Sequence, residues 1–241
     1  MSTARPTLAR ACQRMRHARP NGCSTWAAVW VGSAAMLLAA CSGLQSRKPA
    51  AQTYLLAVRA AAAPDAASSS GLHSIQVARP QARPGLDTER IAVLQSGGRA
   101  DYYARAQWAG ALPDVVESLI VDRLRAAGHW PAVESSRSAF PADYLLQVRI
   151  AAFEAHAERP NAAPSVTVRL QCTLGDRAER EVLRAFTAEA SSDAAGNRMT
   201  ALVAAFETAA NTALDQLEAQ VASVLGALPE ARVPLRKSQA P

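Results

Sequence analysis

Residues 165–190 read SVTVRLQCTLGDRAEREVLRAFTAEA, and the fold turns on this stretch. Val166, Val168, Leu170, Cys172 and Leu174 occupy every second position, the period of a strand with one buried face. Gly175-Asp176 opens a turn, since glycine takes up turn backbone cheaply and aspartate bonds the amides that follow it. Residues 181–190 supply a second strand, so the segment predicts an antiparallel hairpin. Upstream, residues 143–155 predict a third long strand. Downstream, from about Asn197 to Leu225, Met199, Leu202, Phe206, Leu214, Leu217 and Val221 follow helical spacing, and this helix would cover one sheet face.

Further out, a helix beginning at Pro113 carries Val116, Leu119, Ile120 and Leu124 on one stripe, and Gly128 supplies its stop. Asp114 and Glu117 sit near its positive end, Arg123 and Arg125 near its negative end, as the helix dipole prefers. Residues 89–94 and 101–106 predict a strand pair around Gly97-Gly98, and residues 72–78 a strand with Ile75 and Val77 on one face. Arg79-Pro80 and Arg83-Pro84-Gly85 predict a turn, because proline fixes φ and lacks an amide donor. Residues 54–59 (YLLAVR) predict a first strand, and the alanine-rich residues 60–71 a loop. No repeat of solenoid period is present. The pattern predicts a mixed α+β (α/β) domain over residues 53–228, a mixed sheet with helices packed on it. Residues 229–241 read as a disordered tail.

The N-terminal stretch is of another kind. Residues 1–40 hold Arg5, Arg10, Arg14, Arg16 and Arg19 and no acidic residue. The apolar run 26–40 (WAAVWVGSAAMLLAA) is shorter than the roughly 20 residues a membrane-spanning helix requires. A basic start, an apolar core and small residues at the end make an export signal. Of the 26 basic residues 21 follow it, against 20 acidic ones, so all but one unit of the formal charge of +6 belongs to the leader. The remaining charges alternate in sign, as in Arg177, Arg180 and Arg184 beside Asp176, Glu179 and Glu181. That excludes the clustered positive surface that nucleic-acid binding needs.

Leu38-Ala39-Ala40-Cys41 resembles the bacterial lipobox, which implies cleavage between Ala40 and Cys41 and acylation of Cys41. Two or three acyl chains anchor stably where one does not, each buried methylene contributing about 0.8 kcal/mol. The alternative is an ordinary secretory signal with a stray cysteine. Ser42 follows rather than aspartate, which by resemblance favours the outer membrane. Residues 41–52, polar and small after the cysteine, form a flexible tether. Cys12 and Cys23 leave with the leader, so an acylated Cys41 leaves Cys172 without a disulfide partner, as a small buried residue.

No residues converge into a catalytic or metal-binding motif. The histidines are scattered, and no nucleophile elbow, phosphate-cradling loop or Cys-x-x-Cys pair occurs. Glu154 and Glu158, flanking His156, read as exposed strand-end residues rather than an acid-base pair. Tyr102, Tyr103 and Trp108, just before the first helix, have two readings that stay open: packing against that helix, or a partner interface.

The order of lipobox, Tyr54-Leu55-Leu56, Val77 to Pro80, Arg90-Ile91-Ala92-Val93, Tyr102-Tyr103, Trp108, Leu112-Pro113 and a C-terminal helix resembles the ABC-type transport auxiliary lipoproteins, the PqiC family. The alanine-rich loop and Cys172 depart from its pattern. The resemblance implies a fold like the N-terminal domain of TolB-like periplasmic proteins and a non-enzymatic lipoprotein of the outer membrane, facing the periplasm, with no cofactor. It implies an inner-membrane MCE-domain partner in lipid transport, outer-membrane lipids held through acylated Cys41, and allows a ring-like homo-oligomer. Two rivals stand beside this adaptor: a carrier holding an acyl chain in its own cavity, and an envelope hydrolase.

Overall fold

The long alternating segments dominate the architecture. In the computed structural model, which describes residues 50–59, 73–157 and 162–228, β7 (Tyr144–Ala157), β8 (Ser165–Asp176) and β9 (Glu181–Asp193) form an antiparallel meander. Val166, Val168, Leu170, Cys172 and Leu174 are all buried on one face of β8. Arg169 and Gln171 lie on the other and are exposed. The turn at Gly175-Asp176 forms as predicted, with Asp176 Oδ1 accepting from the amides of Ala178 (2.8 Å) and Glu179 (3.1 Å).

The opposite edge of β7 is shared in succession by three strands, all parallel to it: β2 (Ile75–Val77), β3 (Gln81–Ala82) and β4 (Arg90–Gln95). β5 (Arg99–Trp108) returns antiparallel to β4 around Gly97 and Gly98, whose φ values of 84° and 78° require glycine. β1 (Gln52–Tyr54) adds to β5 in parallel, and β6 (Val133–Glu134) adds to β2. Among the described residues this is one mixed sheet of nine strands.

Two helices complete the fold. α1 (Leu112–Ala127) ends at Gly128 in the left-handed conformation (φ 67°), as the sequence indicates. It packs on β2, β3 and β6, whereas α2 (Met199–Gly226) packs on β8 and β9. Side by side, the helices are tied by Arg123 Nη2, 2.8 Å from Glu218 Oε2. A single hydrophobic core, including Ile75, Ile91, Ile120, Leu146, Leu170 and Leu217, joins sheet and helices.

A bulge in β7 between Ile150 and Ala152 governs which residues reach that core. Before it, Tyr144, Leu146, Val148 and Ile150 are buried; after it the phase changes to Phe153 and Ala155. The small Ala151-Ala152 pair accommodates the extra residue.

Three expectations need correction, and one strand is new. Residues 54–59 are not a strand throughout: the ladder stops at Tyr54, opposite Trp108, because the partner chain then turns into α1. Gln81–Ala82, expected within a turn, is a short strand on β7, the prolines falling on either side of the paired residues. β6 was not anticipated, since two residues carry no periodicity. The strand over 72–78 is paired only at Ile75–Val77, and Leu72 lies outside the described residues.

Candidate functional site

The acylation and cleavage residues, Cys41 and Ala40, lie outside the described residues, as do Glu158, the loop 60–71 and the tail 229–241. Within the described residues no helix is long and apolar enough to cross a membrane, and no group of three His, Cys, Asp or Glu could hold a metal ion.

The aromatic set Tyr102, Tyr103 and Trp108 does not form one surface. Trp108 is 1% exposed and meets Phe206 (5.1 Å between ring centroids, 83°) and Phe153 (5.9 Å, 86°) edge to face. Packing, not accessibility, describes it. Tyr102 and Tyr103 are consecutive in β5 and so point to opposite faces. The Tyr102 hydroxyl donates to the Gly85 carbonyl (2.9 Å), and the Arg90 guanidinium lies 3.8 Å over its ring. Tyr103 is half-buried against the core, and desolvation raises its phenol above the ordinary range.

Glu154 is a buried carboxylate rather than an exposed strand-end residue. The bulge turns it to the face opposite the helices, where it is 3% exposed and accepts from Arg83 Nη2 (2.8 Å) and from the Phe153 amide (3.0 Å). Arg83 reaches it because β3 lies along β7 at Arg149 and Ile150. Charge pairing and hydrogen bonding account for this carboxylate without any chemistry.

A feature the sequence does not announce is the course of residues 55–59. Tyr54, Leu56 and Val58 are half-buried on the core while Leu55, Ala57 and Arg59 are exposed, the alternation of an extended chain. In place of a neighbouring strand, side chains of α2 hold it. Asn211, 5% exposed, accepts from the Arg59 amide through Oδ1 (2.7 Å) and donates through Nδ2 to the Ala57 carbonyl (3.0 Å). Glu207 Oε1 accepts from the Ala57 amide (3.2 Å). The Asn211 carboxamide thus presents one acceptor and one donor, as a peptide group of a strand would. An asparagine on the buried stripe of a helix was the available signal. Between this strap and α1 runs an open, mainly apolar groove of about 680 Å³, bounded by Leu55, Leu56 and Val58 on one side and Val115, Ser118 and Leu119 on the other.

Known proteins share this fold. A crystal structure of a Xanthomonas campestris protein of the DUF330 family matches at 25% identity with a TM-score of 0.65, covering 72% of this chain and 96% of that one. A second solved structure, of an uncharacterized protein, shares the fold at 11% identity and a TM-score of 0.56, with 71% and 99% covered. No curated protein matches. The sequence profile described as the ABC-type transport auxiliary lipoprotein component matches residues 54–222, from the strap to the last turns of α2, and the chain belongs to that family.

Proposed function

We propose that the protein is a non-enzymatic adaptor of an MCE-type intermembrane lipid transport system. Cleaved after Ala40 and acylated on Cys41, it sits on the periplasmic face of the outer membrane and grips an inner-membrane MCE-domain protein. The family membership carries this reading, because an auxiliary component implies a transporter to assist. The lipobox supports the anchor, and the polar stretch after Cys41 supplies reach, at most about 35 Å at full extension. Tyr102 and Tyr103, half-exposed, remain candidate contact residues; Trp108 does not.

Two measurements test the proposal. Mass spectrometry of the mature protein is expected to find Cys41 first and fatty acids on it; any other start removes the anchor. Crosslinking followed by gentle extraction is expected to recover an MCE-domain protein with the lipoprotein, and recovery without one counts against the adaptor role. The carrier reading draws on the apolar groove, but an acyl chain there would lie open to water along its length. It predicts lipid bound non-covalently to a chain lacking Cys41.

A further inference from the structure

We infer that the groove between the strap and α1 is a strand-addition slot for an extended peptide of a partner protein that carries apolar residues and a basic one. The argument begins with the backbone of the strap. In an extended chain the N–H and C=O of one residue point to one side and those of the next to the other. Both groups of Ala57, and the amide of Arg59, are directed to α2 by Glu207 and Asn211. The N–H and C=O of Leu56 and Val58 therefore point the other way, towards the groove. Among the described residues nothing bonds them. A short strand edge with one side already secured thus faces a groove whose far wall is a helix.

Volume and charge agree. At about 680 Å³ the groove has room for a short extended segment laid along it, one side of which stays in solvent. Val115 and Leu119 offer it apolar surface, while Ser118 keeps the α1 wall narrow enough for a strand to approach. That wall carries Asp114 and Asp122 and no basic residue. Asp114 is taken by Arg79 (3.0 Å) and Arg137 (3.2 Å), whereas Asp122 is exposed and makes no ion pair among the described residues. A lysine or arginine on the incoming peptide would find it. Arg59, at the end of the strap, keeps a second basic residue of the peptide from that end.

A peptide suits the slot better than an acyl chain. Main-chain hydrogen bonds provide affinity in strand addition, and alternate side chains provide selectivity. An acyl chain would cover the Leu56 and Val58 polar groups without bonding them, which opposes its binding. In the adaptor role the peptide belongs to the transport partner; that assignment rests on the proposed function, but the slot itself does not.

The test uses the full chain in detergent and a fluorescein-labelled, end-capped peptide with one basic residue, Lys-Val-Thr-Val-Thr. Binding followed by anisotropy is expected to be saturable below about 1 mM. It should weaken at least tenfold when the three central peptide amides are N-methylated, since that removes the donors and keeps the side chains. Ser118→Trp, which fills the groove from an exposed position of α1, should weaken it at least tenfold too. No binding by 1 mM, or equal binding of the methylated peptide, overturns the slot on the unaltered chain, whatever Ser118→Trp does to folding. A fatty acid found by native mass spectrometry in the parent chain and lost in Ser118→Trp would overturn it in favour of lipid, and a crosslink from position 118 to Leu56 of another copy in favour of self-association. If the MCE-domain protein still co-purifies with Ser118→Trp at parental yield, the assignment of the peptide to that partner is overturned while the adaptor reading stands. If it never co-purifies and the peptide binds, the adaptor reading fails while the slot stands.

Discussion

Cys172 lies opposite Phe186 across the β8–β9 ladder, 2% exposed, and burial pushes its thiol up to about 12. The thiolate is the reactive form, so at pH 8 almost none is available. The native protein is expected to leave Cys172 unmodified by a disulfide reagent, and denaturant to release it; rapid labelling without unfolding would contradict this burial. Arg83 supplies the other residue-level test. Arg83→Ala strands the Glu154 carboxylate in the sheet, at a cost of about 2 kcal/mol, the lower end for a broken buried pair because Arg83 is itself 38% exposed. Adding Glu154→Gln should recover part of the loss, read as a partial return of the urea midpoint. A double variant as unstable as the single one would show that the pair is not what matters there.

At the scale of elements, the N-terminus of α1 and the grip of α2 on the strap make separable predictions. The Arg79 guanidinium, bonded to Asp114, holds that carboxyl below its ordinary 3.8, outweighing the opposing effect of desolvation. A carboxyl lowered in the folded state stabilises fully above its unfolded value and progressively less as pH falls through its folded one. Asp114→Asn should therefore flatten the loss of stability below about pH 4, with little change in that slope at neutral pH. Unchanged acid melting curves would assign the ion pair no role. Asn211→Ala removes both bonds to the strap and is expected to cost about 2 kcal/mol. Its specific sign is faster hydrogen exchange at the Arg59 amide while the β7–β8 ladder stays protected, and uniform loss of protection would mean that the strap belongs to the global unfolding unit.

For the whole molecule the aromatic cluster is the joint between sheet and helix. Phe206 of α2 stacks on Phe153 of β7 at 5.3 Å and 17°, and both meet Trp108 at the end of β5. Phe206→Ala should cost about 4 kcal/mol, enough to unfold many domains at growth temperature; a loss under 1 kcal/mol would show that the core collapses around the gap. The sequence by itself determined the local features. Alternation over 165–174 marked β8, helical spacing and the stop at Gly128 marked α1, and the lipobox with the order of segments pointed to the family, because each of these is written along the chain itself and needs no knowledge of which segments meet. Tertiary structure decided what depends on neighbours distant in sequence. It joined three strands in succession to one edge of β7, shifted the phase at Ala151-Ala152 so that Glu154 faces away from the helices and is covered by Arg83, drew Trp108 from a candidate interface into the core, and replaced most of the expected strand over 54–59 by a strap held from residues 207 and 211. Periodicity tells which side of a strand is apolar, but the partner that satisfies a backbone edge is set by long-range packing, and no local pattern records it.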